Sequence, residues 1–223
     1  MIAPLAEEFN VDLSRLPAAQ WPRYFFDRTK AEGLFGDYFE GEDAVTYEIS
    51  DGSAALAALT DLLLNFRRYH VYTLEQVNQG VWAMWGPEYE LDRLFWDEGL
   101  PWPERERAIQ AMAVPFRDFL LGHPAEVMEN CFFMWWDLIR AKPPFMGSAA
   151  DVARVKGTYL ETLREILALD DPRCKEAALH GLGHLYHPER AATVQAFIDA
   201  QTDLEQHPDG RRWLEQCRDG SVM

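Results

Sequence analysis

A chain of 223 residues is long enough to bury roughly 70–75% of its unfolded surface in one globular unit, and 48% of its residues are hydrophobic. Its 21 basic and 37 acidic side chains leave a net charge of −16, which argues against nucleic acid and anionic membranes as partners, since both need a clustered basic footprint. The longest basic runs are only the pairs Arg67–Arg68 and Arg211–Arg212.

Cys131, Cys174 and Cys217 are odd in number and far apart, so neither a disulfide framework nor a zinc-ribbon spacing is present, and each reads as a small buried apolar residue. The first ten residues, MIAPLAEEFN, carry no basic and apolar signal pattern. The strongest apolar run, Cys131–Trp136, stops at Asp137 and is too short to span a bilayer. The expectation is a reducing, cytoplasmic setting.

In chain order, residues 1–50 are the least regular. Pro4, Pro17 and Pro22 interrupt them, Trp21, Tyr24, Phe25 and Phe26 form an aromatic knot, and Val45–Ile49 alternates with period two. The segment reads as an N-terminal cap. Ala31–Phe66 holds eight acids and no base, so Asp37, Glu40, Glu42 and Asp43 are candidates for an acidic face that steers a basic protein partner.

Ser53 is the expected N-cap of a helix running to about Tyr69, with Leu56, Leu59, Leu63 and Phe66 inward. Thr73 with Gln76 spells a capping box for the next helix, which ends at Gly86–Pro87. A shorter helix is expected over Glu88–Asp97, and another from Trp102–Pro103 to Gly122, kinked by Pro115. His123–Pro124 starts a helix that is apolar almost all round, the pattern of an element between layers. Helices over Asp151–Leu169 and Pro208–Arg218 complete the set around the stretch Asp170–Ala200.

That stretch has the strongest pattern. Asp171–Pro172 is a helix start, Ala177, Ala178, Leu179, Leu182 and Leu185 mark one buried face, and Gly181 and Gly183 suit a site where a neighbouring helix comes close. A return helix follows over Glu189–Gln201, with Ala192, Val194, Phe197 and Ile198 inward. The segment resembles a HEAT-type repeat of the short bacterial form. His123–Pro124, Asp171–Pro172 and His207–Pro208 each launch an amphipathic helix, the first two prolines 48 residues apart, near the repeat length of such units. The resemblance implies an all-α fold, an α-α superhelix or HEAT-like solenoid: an irregular cap (1–50), helical pairs (51–122) and HEAT-like repeats (123–223), in one domain.

Nucleophile elbows, phosphate-binding loops, dinucleotide fingerprints and calcium-loop spacings are absent from the sequence. Four candidate aromatics remain as partner anchors: Trp82 and Trp85, three apart, and the adjacent Trp135 and Trp136, of which one is expected to face outward. His123, His187 and His207 precede prolines and read as structural. His180 and His184 lie four apart on one helix face, a spacing that lets two imidazoles share a metal, although Gly181 stands where a helix-borne metalloprotease carries its glutamate. Buried hydrogen-bonding histidines, or histidines on the groove surface, are the favoured readings of that pair, and no cofactor is expected.

The leading functional expectation is a non-catalytic protein-binding module, adaptor or inhibitor, acting through the solenoid surface. The alternative is a metal-dependent enzyme near His180, His184 and Asp137, or a bilin-lyase-like one, an activity that the HEAT-like resemblance brings with it. A third is a structural subunit of a homo-oligomer joined through the tryptophan-rich surface. The sequence leaves the oligomeric state open.

Overall fold

The computed structural model describes residues 10–27, 46–86, 89, 91–123, 131–139, 147–202 and 207–222. These residues are mostly helical, and the fold is all-α. Residues 37–43, including Asp37, Glu40, Glu42 and Asp43, lie outside them.

The expected alternation near residue 45 forms strand β2 (Thr46–Glu48), which pairs in parallel with β1 (Asn10–Asp12), Val11 opposite Tyr47. Asp12 closes this corner by accepting from the Ser14 and Ser50 hydroxyls and backbone amides, which hold its carboxyl at about 2. The aromatic knot is helix α1 (Trp21–Phe26), whose four aromatic side chains are all buried and which packs on α3 (Leu74–Trp85).

Helix α2 (Gly52–Leu64) starts one residue before the expected cap. Asp51, in extended backbone, accepts from the Ala54 amide, and Ser53 is already inside the helix. Asp51 wins because a carboxylate both accepts the amide hydrogen and complements the positive helix end. The helix also stops earlier than expected, giving way to a 3-10 turn over Phe66–Val71. Thr73 and Gln76 form the expected reciprocal box at the start of α3.

Among the described residues of the next expected segment, α4 (Arg93–Trp96) alone is helical. The long helix expected through Pro115 is divided into α5 (Trp102–Ala111), α6 (Ala113–Asp118) and a 3-10 turn over Leu120–Gly122. Proline has no amide hydrogen for the Ala111 carbonyl and its ring crowds that carbonyl, so the break falls one turn before Pro115.

Short α7 (Trp135–Leu138) precedes α8 (Ala149–Leu167), α9 (Pro172–His184), α10 (Arg190–Asp199) and α11 (Pro208–Asp219). Ser148 caps α8, Asp171 caps α9, and Gly220 ends α11 in the left-handed region at φ 74°. Helix α9 packs on α7, α8 and α11, α10 on α11, and α5 on α2 and α8. On α10, Val194 is buried and Phe197 and Ile198 are half-buried, but Ala192 faces solvent: the contact with α11 needs a narrower stripe than the pattern suggested.

The tryptophans are not exposed anchors. Trp135 is fully buried against Trp85, 5.2 Å between ring centres, and against Phe116 and Phe132. Trp136 is buried against Tyr159 and Phe116. Adjacent helical residues diverge by about 100°, and here both directions lead into packed layers, toward α3 on one side and toward α8 and α9 on the other. Trp82 is half-buried against the same core.

One buried ion pair crosses this core. Arg105 on α5 donates to both carboxylate oxygens of Asp151 on α8, at 2.7 and 2.6 Å, and to the carbonyls of Leu100 and Phe95. Cys131, Cys174 and Cys217 are buried thiols, and burial pushes Cys174 and Cys217 up to about 12. Among the described residues, no helix is long and apolar enough to cross a membrane.

Candidate metal centre

Helix α9 is set by its ends and its inner face. Asp171 accepts from the Arg173 amide, Pro172 presets the first turn, and Cys174, Ala177, Ala178 and Leu182 are buried. His184 stands seven positions after Ala177, so the inner stripe carries it to the last turn, with His180 one turn before it. The carbonyl-rich end of a helix favours cationic charge.

Gly181 lies between the two histidines and admits α7. A Cβ there would stand 2.6 Å from Cγ of Trp136 and 2.7 Å from Cδ2 of Leu163. Gly183 likewise faces Val222. The close approach expected of both glycines is therefore present, and it has a consequence for the site. With the Trp136 ring laid on the α9 backbone, the next residue, Asp137, comes alongside His184.

Asp137, His180 and His184 each offer one donor atom, and these atoms all lie within 4.8 Å of one another. The Nε2 atom of His184 is 3.1 Å from Oδ1 of Asp137 and 3.1 Å from Nε2 of His180. The His180 ring is fixed on its other side. Its Nδ1 lies 3.0 Å from the Phe133 carbonyl, and the ring stacks on Phe133 with centres 4.2 Å apart and planes 5° from parallel.

A carbonyl only accepts, so Nδ1 of His180 carries the hydrogen, and the neutral ring turns an unprotonated Nε2 toward His184 and Asp137. Burial, with a smaller contribution from His184, lowers the pKa of His180 against the opposing pull of the Phe133 carbonyl and Asp137. The neutral form is the one that ligates metal. A backbone carbonyl that fixes the far nitrogen of an imidazole is also the usual support of a ligating histidine.

At His184, a single Nε2 hydrogen would face two acceptors, the Asp137 carboxylate and the His180 Nε2, and it cannot serve both well. A divalent ion in place of that hydrogen would satisfy all three donors together. Tetrahedral ligands at about 2.0–2.1 Å from zinc stand roughly 3.3 Å from one another, close to both 3.1 Å separations. His180 is buried, whereas the Asp137 and His184 side chains keep 36% and 25% of their surface, so the cluster opens to solvent on the Asp137 side.

The chain matches no model of a known protein family, no curated protein and no solved structure.

The structure thus brings together the three residues of the metal alternative. It places Asp137 at the surface with His184 as its partner. Of the proline-linked histidines, His187 accepts the Glu189 amide through Nδ1 in a local turn, His207 makes no side-chain cap bond, and His123 meets His70 across the fold. Sequence reasoning missed the Phe133 carbonyl. A main-chain acceptor 47 residues from its donor leaves no trace in residue type.

Proposed function

We propose that this chain is a metal-dependent protein whose centre holds one divalent ion through Nε2 of His180, Nε2 of His184 and Oδ1 of Asp137. The observation that carries the reading is the convergence of these three donors while the Phe133 carbonyl holds the His180 Nε2 free. Two imidazoles and one carboxylate suit borderline ions of the zinc and ferrous kind better than calcium or magnesium. Three protein ligands and an open side are the arrangement of catalytic centres rather than closed structural ones. The ion would supply Lewis-acid chemistry at the open position. The protein residues supply orientation: Phe133 fixes His180, and the packing of Trp136 on Gly181 fixes Asp137.

Calorimetric titration of the metal-stripped protein with zinc tests this. One ion per chain is expected, and Asp137→Asn and His184→Gln, both changes at partly exposed positions, lose that binding with the fold intact. Equal zinc affinity in all three proteins would exclude the site.

The protein-binding reading rests chiefly on the net charge of −16, since Trp85, Trp135 and Trp136 are buried and Trp82 is half-buried. On that reading the pairing of α8 with α9 and α10 with α11 supports a HEAT-like array. A basic partner would then be held at low salt and released at moderate salt, as screening requires. Salt-insensitive binding, or none, counts against it.

A further inference from the structure

A second histidine pair lies apart from the metal centre. His70, in the Phe66–Val71 turn, and His123, just after the Leu120–Gly122 turn, come from segments 53 residues apart, yet Nε2 of His123 is 2.6 Å from Nδ1 of His70. Both rings rest on the buried ring of Phe119, His70 stacked at 4.8 Å and His123 at 4.5 Å. Among the described residues, charges of both signs lie on the neighbouring segments. Arg67 and Arg68 share the Phe66–Val71 turn with His70, and all three are exposed. From α9, Arg173 donates to the carbonyls of His123 and Leu120 while paired with Asp171. At the end of α6, Arg117 is paired with Asp118 and Glu165. Among the described residues, neither imidazole meets a carboxylate.

We propose that His70 and His123 form a proton-operated latch that joins the two turns while the rings share one hydrogen between the facing nitrogens, and that opens when both rings are protonated. At 2.6 Å there is room for one hydrogen between the nitrogens. A doubly protonated pair aims two N–H groups, each on a cation, at one another, with Arg173 adding to the repulsion at His123. Burial, then His70 and Arg173, also push the pKa of His123 downward. Protonation of His123 is therefore disfavoured while the latch is closed, and protonation of both rings separates them. Exposed Val71 and Leu121 sit on the two turns, so an open latch rearranges an apolar surface.

The test is an NMR titration of the whole protein that follows the imidazole protons of both rings and the backbone amides of 66–71 and 120–123. The latch predicts two coupled steps more than about one pK unit apart, with the amides of both turns following the lower step. It also predicts that His70→Gln, a change at an exposed position, leaves His123 with a single step and uncouples the turns. Independent single steps in the wild type, or amides that ignore the lower step, overturn the proposal.

Discussion

Replacing Gly181 with alanine is the most informative packing test, because this residue links the core to the candidate site. The added methyl would meet Trp136 and Leu163 at 2.6 and 2.7 Å, distances that force the rings or the helices apart. Overpacking of this kind costs about 1–3 kcal/mol, while alanine regains roughly 1 kcal/mol of helix propensity over glycine. A net loss of about 1 kcal/mol follows, or a fall of about 2–4 °C in melting temperature for a chain of this size. Gly157 supplies the control: it lies within α8, and a Cβ there meets nothing within 4 Å. Gly157→Ala should therefore gain the propensity term alone, about 1 kcal/mol. Thermal and urea unfolding of both variants, followed by circular dichroism, separates the two effects. Because Trp136 carries Asp137 with it, Gly181→Ala should also weaken zinc binding, whereas Gly157→Ala should not. A Gly181→Ala protein as stable as Gly157→Ala, with wild-type zinc affinity, would refute the link between the helix contact and the site.

Other outcomes follow from the same packing. Asp151→Asn leaves the Arg105 guanidinium, 3% exposed, without its counter-charge, and should cost about 3–5 kcal/mol in urea unfolding; Glu165→Gln, which breaks an exposed pair with Arg117, should cost no more than about 1 kcal/mol. Thr73→Ala removes the capping box of α3 and should lower stability by about 1 kcal/mol, while Ser53→Ala, inside α2, should have a much smaller effect. The carboxyls of Asp151 and Asp171 lie below their ordinary values, held down chiefly by the side-chain hydrogen bonds from Arg105 and Arg173. Their contribution is thus complete above the unfolded carboxylate value of about 3.9 and disappears as pH falls through the folded values. Urea midpoints should fall between pH 4 and pH 2, and Asp151→Asn should flatten that fall; a wild-type midpoint that does not change with pH would count against both pairs.

Much of the helical outline is written in local chemistry. Thr73 with Gln76 and Asp171 with Pro172 carry the signals of helix starts within four residues, and both starts stand where those signals put them. Gly181 and Gly183 announce a close neighbour because glycine within an apolar stripe has little other use. What the sequence conceals is long-range. No local rule separates Asp51 from Ser53 as the cap of α2, and the burial of Trp135 and Trp136 on two different faces depends on which elements enclose α7. The candidate site divides in the same way. The spacing of His180 and His184 is visible within a single helix, and Asp137 stands out as the only acid in its apolar run, but their meeting depends on a glycine contact between α7 and α9. The His70–His123 contact has no local signature at all, since it joins two turns 53 residues apart.

Nitrogen NMR of the imidazole rings during zinc addition tests the proposed metal centre most directly, because it reports which ring atom is ligated. The structure predicts that one equivalent of zinc shifts the Nε2 signals of His180 and His184 together, that Nδ1 of His180 stays protonated on the Phe133 carbonyl, and that Asp137→Asn weakens the response. Zinc that leaves these two rings unchanged, or that binds them through Nδ1, would contradict the site.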